Sequence, residues 1–246
     1  MTGGPFVSAG PDLFILRERK PCDMTEYSSD VGFSPAVKAI QTKKGSRRAY
    51  ERMESNGGWK TVVTPELSSF IARLDMFYLG TSSATGQPYI QYRGGPPGFL
   101  KVIDAKTLGF ADFSGNQQYI SWGNLSENPQ AFLFLMDYSQ SRRIKLWGQA
   151  RVVENDPQLL TSLGDPAYEA KSERAILFQI EAWDINCPQH IHRRFPQREV
   201  APVIEALQTE IANLKAALDS LKREHGALDP SGNDSSEPDH PSEHRL

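Results

Sequence analysis

The strongest constraint on this chain is a series of short β-patterned segments between Phe77 and Trp183, joined by turn chemistry rather than by helices. Residues 77–82 read as a strand, Thr85-Gly86 and Gln87-Pro88 as a turn, and residues 89–93 as the returning strand. Residues 99–103, 107–112, 131–137, 143–153 and 175–183 carry the same signature, with a turn at Asp104 separating the first two. Gly148, inside the longest segment, fits a bulge or a bend. At least six strands with short connections predict a largely antiparallel sheet that curls or closes. They argue against a doubly wound α/β fold, where helices alternate with strands.

Helices flank this region. Residues 35–54 pattern as two short helices interrupted at Gly45. A third is predicted over 65–73, with Thr64 as N-cap, Pro65 at the first position and Glu66 in the first turn. Leu67, Phe70, Ile71 and Leu74 supply its apolar face. A long helix follows the strands, and Val200, Ile204, Leu207, Ile211, Leu214, Leu218 and Leu221 recur along it at alternating four- and three-residue steps. That is a heptad seam, suited either to a second subunit or to the chain's own barrel. The organisation expected is an N-terminal arm (1–34), a body (35–196), an amphipathic helix (197–225) and a polar, Pro/Ser-rich disordered tail (226–246).

Composition narrows the function classes. With 39% apolar and 23% charged residues among 246, the chain has material for a sizeable core. Lys and Arg total 27 against 30 Asp and Glu, so no basic excess exists to neutralise a nucleic-acid backbone. Cys22 and Cys187 are the only cysteines, too few for a disulfide framework. No apolar run is long enough to span a bilayer, and the first residues lack the charged-then-apolar pattern of a signal peptide. A cytoplasmic protein without nucleic-acid or membrane partners is the expectation.

No phosphate-binding P-loop, dinucleotide fingerprint, serine elbow or HExxH motif is present. Arg93 and Lys101 bracket the loop GGPPGFL. Two cations beside glycine backbone can hold a phosphate, and the same sequence also makes an ordinary rigid turn. Ser114, Asn116, Gln117 and Gln118 cluster donors and acceptors after a strand. They suit a polar ligand edge, and Ser114 also suits the cap of a following helix. Alternation puts Arg143 and Lys145 on one strand face, opposite Ile144 and Leu146. His190 and His192 follow Cys187 closely, but no fourth metal ligand accompanies them, which favours hydrogen-bonding roles.

The runs IQYRGGPPGFLKVID, LGFADFSGNQQYISWGNLSENPQAFLFLMDY, RRIKLWGQARVVE and AWDINCPQHI resemble the FMN-binding split-barrel proteins related to pyridoxamine 5'-phosphate oxidase, across roughly residues 28–195. The resemblance implies a mainly β fold with flanking helices: a six-stranded antiparallel split barrel, here followed by a long C-terminal helix. It also implies a homodimer with FMN at the subunit interface. By that resemblance Arg93 and Lys101 bind the flavin phosphate, and Ser114, Asn116, Gln117 and Gln118 form the polar turn. Arg143 and Lys145 contact the flavin from the facing strand, and Trp183 with the following segment closes the site. His190 is the candidate acid or base. The activity implied is FMN-dependent oxidation or reduction of a small molecule by hydride transfer to flavin N5, with NAD(P)H or oxygen as electron partner. A non-catalytic flavin carrier or sensor, and a barrel holding haem or a deazaflavin, are the alternatives. The sequence departs from the parent oxidases in three places. GGPPG separates the Arg and Lys, Gly-Asn-Gln-Gln replaces Ser-Arg-Lys at the polar turn, and the Arg-x-His that grips pyridoxal has no clear counterpart. Oxidation of pyridoxamine phosphate is therefore not implied.

Overall fold

The computed structural model describes residues 26–227. Most of the expected arm and tail, with Cys22, His240 and His244, lies outside the described residues. The chain divides into two units between His192 and Arg193.

The first unit opens with a short 3-10 turn, Ser28–Val31, then α1 (Pro35–Lys44) and α2 (Arg47–Ser55). Ser34 Oγ accepts the Val37 N–H at 3.3 Å, and Gly45 ends α1 at φ 79°, a left-handed angle that costs glycine little. Glu54 is buried, yet it accepts from Ser29 Oγ at 3.0 Å and from the Arg47 guanidinium, so its charge is compensated. α3 (Pro65–Ile71) starts where the sequence predicts: Thr64 Oγ1 accepts the Leu67 N–H, and Leu67, Phe70 and Ile71 are buried.

Seven strands follow: β1 (Met76–Ser82), β2 (Pro88–Gly94), β3 (Lys101–Val102), β4 (Thr107–Phe113), β5 (Gln130–Asp137), β6 (Arg142–Val153) and β7 (Ser172–Asn186). They form one antiparallel sheet in the order β2-β1-β5-β6-β7-β4-β3. The resemblance implies six strands and the sheet has seven, one of them the two-residue β3. The segment 99–103 was expected to be a full strand. Its Phe99 and Leu100 instead enter the core after a turn in which the Phe99 N–H bonds to the Pro96 carbonyl at 2.9 Å. β7 is longer than its apolar stretch because Arg174 stays in register opposite Asp112 of β4 at one end and Asp184 to Asn186 pair with β6 at the other.

Alternation places Leu79, Leu133, Leu135, Ile144, Leu146 and Phe178 at zero exposure in one core. The predicted bulge falls at Gly148, where the β6–β7 register shifts between Trp147 and Gly148. Helix α4 (Ile120–Glu127) joins β4 to β5, and α5 (Pro157–Leu163) joins β6 to β7. α5 escaped the sequence reading although Asp156 caps it, accepting the Leu159 N–H at 2.9 Å just before Pro157.

The terminal strands of the sheet, β2 and β3, form no ladder with each other. Side chains join the two ends instead. Arg93 of β2 pairs with Asp112 of β4, and Phe77 of β1 meets Phe110 of β4 edge-on at 5.1 Å and stacks on Phe99 at 5.4 Å. This makes a split barrel.

The second unit is α6 (Gln197–Ala227), a continuous helix with Pro202 inside it. No described helix is long and apolar enough to cross a membrane.

A side chain at Gly148 would overlap the Gln179 carbonyl oxygen and crowd the Phe178 ring. Gly148→Ala is therefore expected to cost about 2 kcal/mol or more. Urea unfolding of the variant against wild type measures it.

Candidate functional site

The opening of the split is a polar cleft of ≈ 290 Å³. Tyr89, Gln91 and Arg93 of β2 form one wall, and Asp112 and Phe113 of β4 with Glu173 and Arg174 of β7 form the other. Residues 115–122, the loop before α4 and its first turn, complete the lining. Strand alternation explains β2: Tyr89, Gln91 and Arg93 share the face turned into the split, while Ile90 and Tyr92 point outward at 69% and 59% exposure.

Two guanidinium groups dominate the cleft. Arg93 is mostly buried, donates to Asp112, and lies 5.9 Å from the Phe110 ring. Its Nε is buried with no hydrogen-bond partner. Arg174 is 5% exposed. It lies 4.3 Å from the Trp122 ring and 5.0 Å from the Tyr119 ring, bonds Glu173, and approaches Asp112 at 3.9 Å. Burial sets the electrostatics. It raises the Asp112 carboxyl above its ordinary range, and the attraction of Arg93 and Arg174 only partly offsets it. Burial likewise lowers Arg93 despite Asp112 beside it. Desolvation thus outweighs ion pairing at this seam.

The start of α4 adds a second source of positive potential. Its N-cap is Tyr119, left-handed at φ 52°, and no side chain caps the helix. Ser114, expected as a cap, lies five residues upstream, and its N–H bonds the Lys171 carbonyl at 2.8 Å. The first turn of α4 thus lines the cleft with no side chain capping it.

The predicted site residues divide. Arg93, Asn116, Gln117 and Gln118 are brought together in the cleft, with the Gln118 N–H on Asn116 Oδ1 at 3.3 Å. Ser114 adjoins the cleft but does not line it. Lys101 is paired with Gly109 in β3 and is not in the lining. The glycines between Arg93 and Lys101 are committed elsewhere. Gly95 and Gly98 donate to the Asp75 and Leu74 carbonyls at 3.0 and 2.7 Å, holding the loop to the segment between α3 and β1. The turn reading of that loop accounts for its composition.

Arg143 and Lys145 do share a face opposite buried Ile144 and Leu146, but neither lines the cleft. Lys145 pairs with Asp184 at 3.4 Å and sits over Trp59 and Trp147. Trp183 is a core residue, 1% exposed. Its Nε1–H donates to the Val62 carbonyl and its backbone N–H to the Lys60 carbonyl, both at 2.8 Å, tying the segment before α3 to the sheet. His190 occupies an exposed left-handed turn at φ 63° and does not line the cleft. Sequence reasoning missed Asp112, Tyr119, Trp122 and Arg174. Arg174 had a legible signal, an arginine entering an otherwise apolar strand.

Outside the split, Tyr78 and Gly80 of β1, Ile90 of β2, Phe132 and Phe134 of β5 and Trp147 of β6 line an apolar hollow of ≈ 730 Å³, which shares Tyr89 with the cleft.

The Asp112 carboxyl binds a proton more tightly in the folded chain than in the unfolded one. Its contribution to stability therefore falls as pH rises from about 3.8 to its raised value. Asp112→Asn lacks that loss. Its stability relative to wild type is expected to climb across this range and then level off, measured by urea unfolding at several pH values. A constant difference would contradict the assignment.

The family model described as pyridoxamine 5'-phosphate oxidase matches residues 63–200, more than half of the chain. No curated protein matches in sequence. Among solved structures, HupZ of Group A Streptococcus is 16% identical over 54% of this chain and 99% of its own, with a TM-score of 0.42. An FMN-binding protein from Syntrophomonas wolfei is 14% identical over 62% and 95%, with a TM-score of 0.40. HutZ, the heme storage protein from Vibrio cholerae, is 16% identical over 49% and 91%, with a TM-score of 0.36. Likenesses this distant carry no functional argument. The match across all seven strands of the barrel, into the start of α6, makes the chain a member of the pyridoxamine 5'-phosphate oxidase family.

Proposed function

We propose that this protein is an FMN-dependent oxidoreductase acting on a small molecule, with the flavin phosphate held in the cleft at the barrel split. The observation that carries the reading is unspent donor capacity in one place. The buried Arg93 Nε has no partner, and the uncapped first turn of α4 faces the same cleft. A phosphate monoester satisfies both, since it accepts charge-assisted bonds from arginine and prefers a helix N-terminus. Arg93 and Arg174 supply the charge, and Asn116, Gln117 and Gln118 the neutral polar contacts. Asp112 and Glu173 balance that charge, so the cleft is formally neutral and an anion held there relies on directional hydrogen bonds.

The outer hollow offers the kind of apolar, aromatic surface that a planar ring system requires. Its exposed rim, including Ile90, suits coverage by a second copy of the chain, in line with a homodimer. Bound there, FMN would supply the hydride and electron chemistry, and the protein would bind, orient and shield it. His190 and the pair Arg143 and Lys145 stand outside the cleft, so no acid or base is assigned to the reaction.

Removing a charge-assisted bond of about 1.5–3 kcal/mol predicts at least tenfold weaker FMN binding in Arg93→Ala, read by flavin-fluorescence titration. Equal affinity in variant and wild type would place the phosphate elsewhere. The absorption spectrum of the purified protein tests the cofactor itself. A flavin spectrum that bleaches with a reduced nicotinamide and recovers in air is expected. A Soret band, or a colourless protein that refuses added FMN, would overturn the proposal.

A further inference from the structure

The C-terminal helix carries an apolar row that the barrel's chemistry does not use. Along α6, Ile204, Leu207, Ile211, Leu214, Leu218 and Leu221 are each 47% to 62% exposed. Continuous rows of large aliphatic side chains seldom stay in water, because burying each is favourable by about 1.5–3 kcal/mol. The spacing assigns Ile204, Ile211 and Leu218 to the a positions of a heptad and Leu207, Leu214 and Leu221 to d. β-branched residues at a with Leu at d favour two parallel strands, and the first two heptads follow this rule.

Charge selects the same arrangement. Glu210 falls at g and Lys215 at the following e. In a parallel, in-register pair a g residue faces the e residue of the next heptad on the other helix, so Glu210 meets Lys215 of the second copy, twice by symmetry. An antiparallel pair sets e against e, and the e positions here include Lys215 and Lys222. The remaining positions are small or polar, including Ala212, Asn213, Ala216, Asp219 and Ser220, as an outward face requires.

We propose that α6 pairs with α6 of a second copy of this chain as a parallel, in-register two-stranded coiled coil. The occupant of the seam is then an identical helix. The contact is independent of whatever joins the barrels and of the cofactor.

Site-specific disulfide formation in the full-length chain tests it, in a background with Cys22→Ser and Cys187→Ser. Residues at equal d positions of a parallel pair approach closely enough for a disulfide. Leu207→Cys and Leu221→Cys, made separately, are both expected to give covalent dimers under mild oxidation. Ala216→Cys, on the outward face, is expected to stay monomeric on a non-reducing gel. Lys215→Glu should lower the yield at both d positions, and adding Glu210→Lys should restore it. An antiparallel pair can bring at most one of the two d positions to its own twin. Crosslinking at only one of them, at neither, or equally at all three cysteines would overturn the proposal. Far-ultraviolet circular dichroism of each variant confirms that α6 is still helical, and flavin titration shows separately whether the barrel site is intact.

Discussion

The structure depends on closing a seven-stranded sheet without hydrogen bonds between its ends. β2 and β3 terminate the ladder, and side chains must join what the backbone leaves apart. Phe77, Phe99 and Phe110 supply the apolar share of that closure, and Arg93 with Asp112 supplies the charged share. A fully laddered barrel would have no opening here. The split exists because closure by side chains leaves room between them, and that room is the polar cleft.

Closure of this kind carries an electrostatic cost. Arg93 and Asp112 are both shifted by burial against the sense their attraction would produce. A seam optimised for stability alone would replace them with apolar residues of similar volume, which commonly does as well or better. The seam instead keeps two arginines, their carboxylate partners and an uncapped helix start at one point. The cleft proposed to bind the flavin phosphate is thus also where side chains close the barrel.

Much of the fold was legible because its signals are local. The cap at Thr64, the break at Gly45, the bulge at Gly148 and the alternation along β6 each follow from a few neighbouring residues. Other residues are placed differently from what their local pattern suggests, for physical reasons. Phe99 and Leu100 resemble a strand because apolar residues anchor the core from either conformation. Trp183 resembles a ligand contact, yet its ring is consumed by the core and its N–H by Val62. Lys101 resembles a partner for Arg93, yet Gly95 and Gly98 between them hold the loop to the segment that joins α3 to β1.

The sequence by itself determined the antiparallel β architecture, the flanking helices and the heptad seam of α6, since periodicity and capping are properties of short stretches of chain. Only the tertiary structure decided which polar residues share a site. Arg93, the stretch from Asp112 to Tyr119, and Arg174 lie far apart in sequence, and they meet because the curled sheet brings β2 against β4 while β4 pairs with β7. Sheet curvature is a collective property of all seven strands, and no local pattern specifies which residues its two ends will bring together.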